Sequence, residues 1–283
     1  MSEYTSLIID IKKSRTYDLQ DRNDLQVYLS KCVKQLNMMF KESIRFDVTF
    51  SAGDELQGMF YDTVSAVMYL RLLSILINPV EVRAGIGVGE WNVRIEDGLS
   101  TEQDGPAYHQ AREAIEEVYK MQTQRFRISS TNNDDVLANY MLNASMNYIQ
   151  NQNYIQSRIL LLLELMYPFV NKTVNPIKVT EVKNLLELKA VSIISKNDKK
   201  TGDITLDFNN VQVIEMISIT EEAIDAEDII IKKNMSSMIA EVEGSTRQNI
   251  DKLIKRGNSI IIRIMDYMAL KYIKKAYGGN YDL

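Results

Sequence analysis

Glycine at every second position of one short segment constrains the fold of this 283-residue chain more than any other feature of its sequence. Residues 82–90 read VRAGIGVGE, and in a β-strand this alternation would place Gly85, Gly87 and Gly89 on one face of a sheet. A strand face without side chains lets another backbone, or a ligand, approach closely. We therefore expect this face to be covered either by a tightly packed element or by a bound molecule.

Hydrophobic periodicity predicts a regular order of strands and helices through the first half of the chain. Strands are predicted at residues 4–9, 46–50, 56–61, 80–90 and 126–128. Helices are predicted at residues 25–44, 64–77 and 107–121. The order β-α-β-β-α-β-α-β is that of the ferredoxin-like (βαββαβ) plan with one further helix and strand, so the sequence predicts an α+β fold here.

The second half of the chain is predicted to be mostly helical. The polar run at 130–135 indicates a domain boundary, which gives a first domain at 1–133 and a second at 134–283. Helices are predicted at 136–150, 154–167, 235–242, 246–256 and 259–277, and a hairpin at 191–208. Residues 171–233 are interpreted as an insertion, and residues 235–257 as a helix-turn-helix within a winged-helix-like region.

Composition disfavours several classes of site. With one histidine, His109, and one cysteine, Cys32, the chain has no intrachain disulfide, and a histidine–cysteine zinc site or a Ser-His-Asp triad is disfavoured. Any metal would therefore need oxygen ligands. The formal net charge is −5, so DNA binding would require a local basic face. The most apolar stretch, residues 155–170, is too short and too charged to span a bilayer, and we expect a cytoplasmic protein without membrane insertion.

Two aspartates are predicted to meet at one edge of the sheet. Asp10 ends the first strand, and Asp54 lies in the turn SAGDELQG between the second and third strands. Adjacent carboxylates repel each other unless a cation lies between them, and Mg²⁺ (or Mn²⁺) bound by both and by substrate phosphates fits this arrangement. Taken singly, each aspartate is also typical of a strand end or a hairpin turn. We predict Asp10 and Asp54 as metal ligands.

Other residues of the predicted nucleotide site surround this pair. The candidates for nucleotide contact are Gly53, Glu55, Gly85, Gly87 and His109. Glu55 would be a third metal ligand or would point to solvent, and His109 lies at a helix start that would attract phosphate. The candidate catalytic residues are Arg15, Arg83 and Arg112, which would clamp phosphate oxygens or, alternatively, pair with surface acids.

Several short motifs together resemble known families. They are DIKKSR at 10–15, GDELQG at 53–58, RAGIGVGE at 83–90, DGPA at 104–107, AREA at 111–114 and the C-terminal helix-turn-helix. The glycine-rich strand, the Gly-Asp-Glu turn and the aspartate that ends the first strand resemble the palm of class III nucleotide cyclases and GGDEF-type enzymes. The whole set is similar to the SatD family of bacterial proteins. The likeness covers about residues 4–128 and 235–256, and its specificity comes from the order and spacing of the motifs.

The resemblance implies that Asp10 and Asp54 stand where cyclases keep their two metal-binding aspartates. It also implies a homodimer, because class III palms pair to build sites at their interface. The SatD family itself implies no established activity.

Three positions depart from the cyclase pattern. Val48 and Phe50 are apolar near the place of a polar residue that reads the base. His109 stands at the place of an asparagine, and Arg112 is one residue early for the arginine that holds the transition state. The resemblance therefore supports metal binding more strongly than purine selection or cyclisation.

The segment at 235–257 is predicted to bind DNA. Eight basic and two acidic residues lie between positions 245 and 275 of an otherwise acidic chain. The predicted contacts are Thr246, Arg247 and Gln248 to base edges and Lys252, Lys255 and Arg256 to phosphates. The alternative is a helical hairpin that packs on the first domain or on a partner, with its charges solvated.

These observations support three functions. The first is a cytoplasmic regulator whose palm binds a nucleotide with Mg²⁺ and whose C-terminal segment binds double-stranded DNA. The second is an enzyme, a nucleotide cyclase or nucleotidyltransferase, in which two metals on the aspartates activate a hydroxyl and ease the departure of pyrophosphate. The third is a degenerate palm that serves as a dimerisation or protein-interaction module.

Overall fold

The computed structural model describes residues 3–12, 18–51, 53–131, 135–171, 178–190, 206–220, 222 and 224–278. Its strands are β1 (Tyr4–Ile11), β2 (Ile44–Phe50), β3 (Leu56–Phe60), β4 (Val82–Gly89), β5 (Phe126–Ser129), β6 (Phe169–Val170) and β7 (Ile217–Ser218). Its helices are α1 (Leu19–Met39), α2 (Thr63–Ile77), α3 (Pro106–Lys120), α4 (Asp135–Asn143), α5 (Met146–Gln150), α6 (Tyr154–Met166), α7 (Val179–Ala190), α8 (Ala226–Ile230), α9 (Met235–Glu243), α10 (Arg247–Arg256) and α11 (Ser259–Tyr277). The hairpin predicted at 191–208 falls almost entirely outside the described residues.

Five strands form one sheet in the order β2-β3-β1-β4-β5. Strand β1 is antiparallel to both of its neighbours, β3 and β4, whereas β5 lies parallel to β4. The first eight elements follow the predicted order, and a mixed α+β fold with a helical C-terminal region is confirmed. This topology brings the C-terminal end of β1 next to the turn between β2 and β3.

Helix α1 differs from its predicted bounds at both ends. It begins at Leu19 rather than at residue 25, because the Asp18 carboxylate accepts a hydrogen bond from the Asp21 amide at 2.8 Å and caps a polar first turn. That turn carries no apolar stripe, so periodicity did not reveal it. The helix ends at Met39, and residues 41–43 form a 3₁₀ turn that leads directly into β2.

Helix α2 is the centre of the molecule. Every residue of it is buried, as expected for a helix that other elements surround. It packs against the sheet and against α1, α6, α7 and α11. One hydrophobic core therefore runs from the sheet into the C-terminal helices, across the domain boundary predicted at 133/134.

Two asparagines of α4 cover the outer edge of β5. The Asn139 side chain accepts from the Ile128 amide at 2.6 Å and donates to the Ile128 carbonyl at 2.9 Å. The Asn143 side chain does the same for Phe126, at 3.0 and 2.7 Å. One helical turn of four residues rises about 6 Å, close to the length of about two strand residues, so the two amides match alternate strand positions. The edge of β5 is thus satisfied within the chain.

The helix predicted at 136–150 is in fact two helices, α4 and α5. The break between them places Ser145 so that its hydroxyl donates to the buried carboxylate of Asp266 at 2.5 Å. The region predicted as an insertion contributes α7, β7 and α8 to the core; its buried residues include Val182, Leu185, Ile217 and Ile230.

A buried ionic network joins α2, α6 and α11. The Arg71 guanidinium donates to both oxygens of Glu164 at 2.6 and 2.5 Å, and to Asp266 at 2.5 Å. Arg263, which is fully buried, forms a second ion pair with Glu164 at 2.6 Å and donates to the Tyr167 carbonyl at 2.5 Å. Two cations face two anions, so the network is electrically balanced.

The most apolar stretch of the sequence forms α6, and its charged residues are paired inside the core. Arg158 donates to both oxygens of Glu243, at 2.9 and 2.5 Å, and so fixes α9 to α6. Within the described ranges, no helix has the length and apolar character that crossing a membrane requires.

Candidate functional site

Strand alternation sets the direction of the Asp10 side chain. Ile8 of β1 packs against Ala111 and Ile115 of α3, so Asp10, two residues further on, lies on the same α3-facing side of the sheet. Asp10 pairs with Arg83 of β4, and Ile9 pairs with Leu56 at the start of β3. The end of β1 is therefore flanked by an arginine on one side and by the β2–β3 turn on the other.

The strand register places Asp10 at the end of β1 beside the turn that carries Asp54, and the two carboxylates interact electrostatically. Burial raises the pKa of Asp10, and the neighbouring Asp54 carboxylate raises it further. A hydrogen bond from Tyr119 and the charge of Arg83 oppose this rise in pKa without cancelling it. The repulsion between the two acids is the electrostatic situation in which a bound cation is most stabilising.

Tyr119 is a member of this cluster that the sequence reasoning missed. It donates to Asp10, and the Arg83 guanidinium lies 5.3 Å from the centre of its ring. Burial and the nearby Asp10 charge raise the pKa of Tyr119 to about 12. Tyr119 follows Arg112 by seven residues, which is two helical turns, so both lie on the same face of α3. This spacing could have identified Tyr119 from the sequence.

Glu55 and Arg112 form a bidentate ion pair. Arg112 donates to the two carboxylate oxygens of Glu55 at 2.6 and 2.8 Å, and the Ser51 hydroxyl donates to the same carboxylate at 2.8 Å. Burial alone would raise the pKa of Glu55, but these hydrogen bonds outweigh it and hold the pKa below its ordinary value. Glu55 is thus ionised and paired with Arg112, the arginine that was predicted to clamp phosphate.

Gly85 and Gly87 face a helix, which corrects their predicted role in nucleotide contact. A β-carbon built on Gly87 would lie 2.0 Å from the Ala107 carbonyl oxygen, and one on Gly85 would lie 2.2 Å from the Ala111 carbonyl oxygen. The backbone of α3 fills the space in front of both residues. Of the two expectations for the glycine-lined face, close packing is the one observed.

The other candidates occupy the rim of the site. Gly53 has a positive φ of 64°, and its carbonyl accepts a hydrogen bond from the Gln26 side chain at 3.1 Å, so it shapes the turn that carries Asp54. His109 is exposed, with its Nε2 3.1 Å from Asp104. Arg15 lies outside the described residues. A small cavity adjoins Asp54, with apolar walls and one basic residue; it is lined by Ile11, Arg22, Leu25, Gln26, Leu29, Phe50, Gly53 and Asp54.

No group of three or more histidine, cysteine or acidic side chains suited to a metal ion occurs in the described part of the chain. A cation at Asp10 and Asp54 would therefore have two protein carboxylates and would need further oxygen atoms from water or from a ligand. Mg²⁺ accepts this coordination, because it keeps several waters and commonly binds one or two carboxylates together with phosphates.

A family model described as the SatD family matches residues 4–185 of the chain. The chain belongs to the SatD family. The match covers the sheet, α3 and the helices up to α7, and it excludes residues 235–256, to which the resemblance was expected to extend. No curated protein matches this chain.

Among solved structures, this SatD-family chain is similar to one described as a bacterial light-regulated adenylyl cyclase. The identity is 16%, the match covers 45% of this chain and 75% of the cyclase chain, and the TM-score is 0.31. A similarity at this level carries no argument about activity.

The C-terminal segment of the SatD-family chain forms two helices joined by a tight turn. Gly244 adopts the left-handed conformation with φ 55°, and the Thr246 hydroxyl accepts from the Asn249 amide at 3.3 Å to cap α10. All six predicted DNA contacts are exposed; they are Thr246, Arg247, Gln248, Lys252, Lys255 and Arg256. The Thr246 hydroxyl is used as a cap, whereas the Arg247 and Gln248 side chains are exposed.

Three of the basic residues counted between 245 and 275 have partners within the chain. Arg263 is fully buried against Glu164, and Lys271 and Lys274 donate to the carbonyls of Glu222 and Ile219. The exposed basic surface is therefore narrower than the sequence indicated. Its main part is α10, where four basic residues accompany one acid, Asp251, and the exposed Lys275 lies on α11.

Proposed function

We propose that this SatD-family chain is a regulator that binds a nucleotide through Mg²⁺ (or Mn²⁺) held between Asp10 and Asp54. The observation that carries the proposal is the strand register, which places Asp10 at the end of β1 beside the turn that carries Asp54. The proposal takes the underlying unit to be a ferredoxin-like βαββαβ palm, and the sheet order β2-β3-β1-β4 supports it.

Electrostatics favours a phosphorylated ligand over a bare cation. The two acids supply only part of a Mg²⁺ coordination shell, and phosphate oxygens would complete it. Arg83 and Arg112 lie beside the acids, where they would offset the remaining phosphate charge. A small cavity adjoins Asp54 and is lined partly by Ile11 and by Leu25 of α1.

Ligand-dependent stability tests the proposal. We expect one nucleoside triphosphate with Mg²⁺ or Mn²⁺ to raise the melting temperature of the wild type, and Asp54→Asn to abolish the rise. At a ligand concentration of 100 times Kd, the gain is about 2.7 kcal/mol, which corresponds to several degrees. The matched control is Asp47→Asn, an exposed aspartate of β2 that should leave the shift intact. A shift without metal, or one that survives in Asp54→Asn, would contradict the proposal.

The pairing of Arg112 favours a sensor over an enzyme. In the described structure Glu55 holds this arginine through two hydrogen bonds, so its Nη1 and Nη2 groups can offset charge that develops in a transition state only after they leave Glu55. Release of pyrophosphate from any of the four nucleoside triphosphates would reverse this preference and support a cyclase or nucleotidyltransferase. Absence of any ligand-dependent shift would support the third function, a dimerisation or interaction module, and a dimeric mass in solution would agree with it.

The exposed basic face of α10 supports a second activity, binding of double-stranded DNA. We expect replacement of Lys252, Lys255 and Arg256 with alanine to weaken binding on every duplex sequence, because these side chains would contact phosphates. The plot of log Kd against log salt should become shallower by about 2.7, or about 0.9 for each lost phosphate contact. Fluorescence anisotropy with a labelled duplex measures both effects.

A charge-matched control for this experiment lies on α1 and in the 3₁₀ turn after it. Lys31, Lys34 and Lys41 are exposed, and their replacement with alanine removes the same charge at a different surface. Equal weakening by both triple variants would show that the contact is nonspecific. No binding by the wild type at low salt would rule out the DNA activity.

A further inference from the structure

The ion pair between Glu55 and Arg112 lies at the mouth of the candidate site. The Arg112 side chain is 46% exposed, whereas that of Glu55 is only 16% exposed. Three hydrogen bonds converge on the Glu55 carboxylate, two from Arg112 and one from Ser51. Glu55 is therefore the fixed partner, and Arg112 is the partner that a molecule from solvent reaches first.

A carboxylate in this position imitates a phosphate. Guanidinium presents two parallel N–H groups, and both carboxylates and phosphates accept them in the same two-pronged geometry. Glu55 occupies the Nη1 and Nη2 groups of Arg112, and this pair of donors cannot serve a second anion in the same two-pronged geometry. An incoming phosphate that binds Nη1 and Nη2 would therefore have to replace Glu55.

The release of Glu55 would place its charge beside the two aspartates. Ile9 pairs with Leu56, so the next pair toward the turn sets Glu55 beside Asp10, and Asp54 precedes Glu55 in the chain. A freed Glu55 carboxylate would add a third acid to a site that has two. Such an addition would strengthen binding of a divalent cation.

We propose that Glu55 is an internal competitor of phosphate: it holds Arg112 until a metal-bound phosphate takes the arginine and turns Glu55 toward the cation. This inference rests on the proposed function, since it specifies how the same site admits its ligand. It explains why Glu55 is paired with Arg112, whose guanidinium is otherwise suited to phosphate. It also makes metal and phosphate binding mutually reinforcing. Phosphate on Arg112 releases Glu55 for the metal, and Glu55 on the metal leaves Arg112 available to phosphate.

Binding of inorganic tripolyphosphate to the full-length chain tests the proposal. Without metal, we expect Glu55→Gln to bind tripolyphosphate about five- to tenfold more tightly than the wild type, as expected for removal of a partly exposed bidentate pair. Ser51→Ala, which removes only the third hydrogen bond to Glu55, should give a smaller gain in the same direction. Addition of Mg²⁺ should strengthen binding to the wild type more than to Glu55→Gln.

Two controls isolate the competition. Glu116→Gln removes an equal charge near Arg112 without a bidentate contact, and it should change tripolyphosphate affinity less than Glu55→Gln does. Arg112→Ala combined with Glu55→Gln should lose the gain. Equal gains in Glu55→Gln and Glu116→Gln would overturn the proposal, as would a gain that persists without Arg112.

Failure of the proposed function gives a different result. If no nucleotide shows metal-dependent binding but Glu55→Gln still gains tripolyphosphate affinity through Arg112, the competitor role stands and the nucleotide function fails. If the wild type binds a nucleotide with Mg²⁺ but Glu55→Gln gains nothing, the competitor role fails and the nucleotide function stands. Circular dichroism of each variant confirms that the loss or gain is measured on folded protein.

Discussion

Replacing Glu164 with glutamine is expected to lower the free energy of unfolding by about 3–5 kcal/mol, the cost of removing one partner from a buried ion pair. The substitution keeps the size of the side chain, so no cavity forms and the loss reports the charge. Arg71 and Arg263 would then face only Asp266, and one positive charge would be left uncompensated in the core. Urea denaturation followed by circular dichroism measures the change.

A surface glutamate supplies the comparison for Glu164. Glu117 pairs with Lys120 at 2.8 Å on the exposed side of α3, and Glu117→Gln should leave the urea midpoint unchanged. Replacing Arg71 with methionine in the Glu164→Gln variant removes one charge of each sign, and it should recover part of the loss. Equal midpoints for Glu164→Gln and the wild type would mean that the network is not closed to water.

The order of elements in the first half of the chain was predictable because its signals are local. Periodicity of two or of 3.6 residues depends only on near neighbours in the sequence, and it identified all five strands of the sheet and the helices between them. The position of Asp10 at the end of β1 beside the β2–β3 turn was predictable as well, since it follows from the order of the strands. The start of α1 was missed because its cap, Asp18, precedes a turn whose one apolar residue, Leu19, is exposed and forms no stripe.

The errors arose where distant residues decide the role of a side chain. Arg263 was counted in a basic surface, yet its partner Glu164 lies 99 positions away on a buried helix. Gly85 and Gly87 were assigned to a ligand, although the backbone of α3 covers them. For Arg112 a phosphate clamp and an ion pair with an acid were both open, and only the fold shows that Glu55 holds it. A sequence pattern gives the chemistry of each group but not its nearest partner.

Gly87 offers the strongest test of how the glycine-lined strand is used. We expect Gly87→Ala to cost about 3 kcal/mol or more, at the upper end of the range for overpacking, because a β-carbon would lie 2.0 Å from the Ala107 oxygen and 2.2 Å from the Ala111 nitrogen. Both contacts are to helix backbone, so relief requires α3 to move away from the sheet. Urea denaturation measures the loss of stability.

The same substitution separates packing from ligand contact. If α3 shifts, Arg112 and Tyr119 shift with it, so stability and nucleotide binding should fall together in Gly87→Ala. Gly244→Asn is the control, since the space around Gly244 is open, it lies outside the candidate site and asparagine tolerates its positive φ. A Gly87→Ala variant with full stability and no nucleotide binding would show that the glycine face admits a ligand after all. Full stability of Gly87→Ala would contradict close packing, because the helix backbone leaves no room for a methyl group.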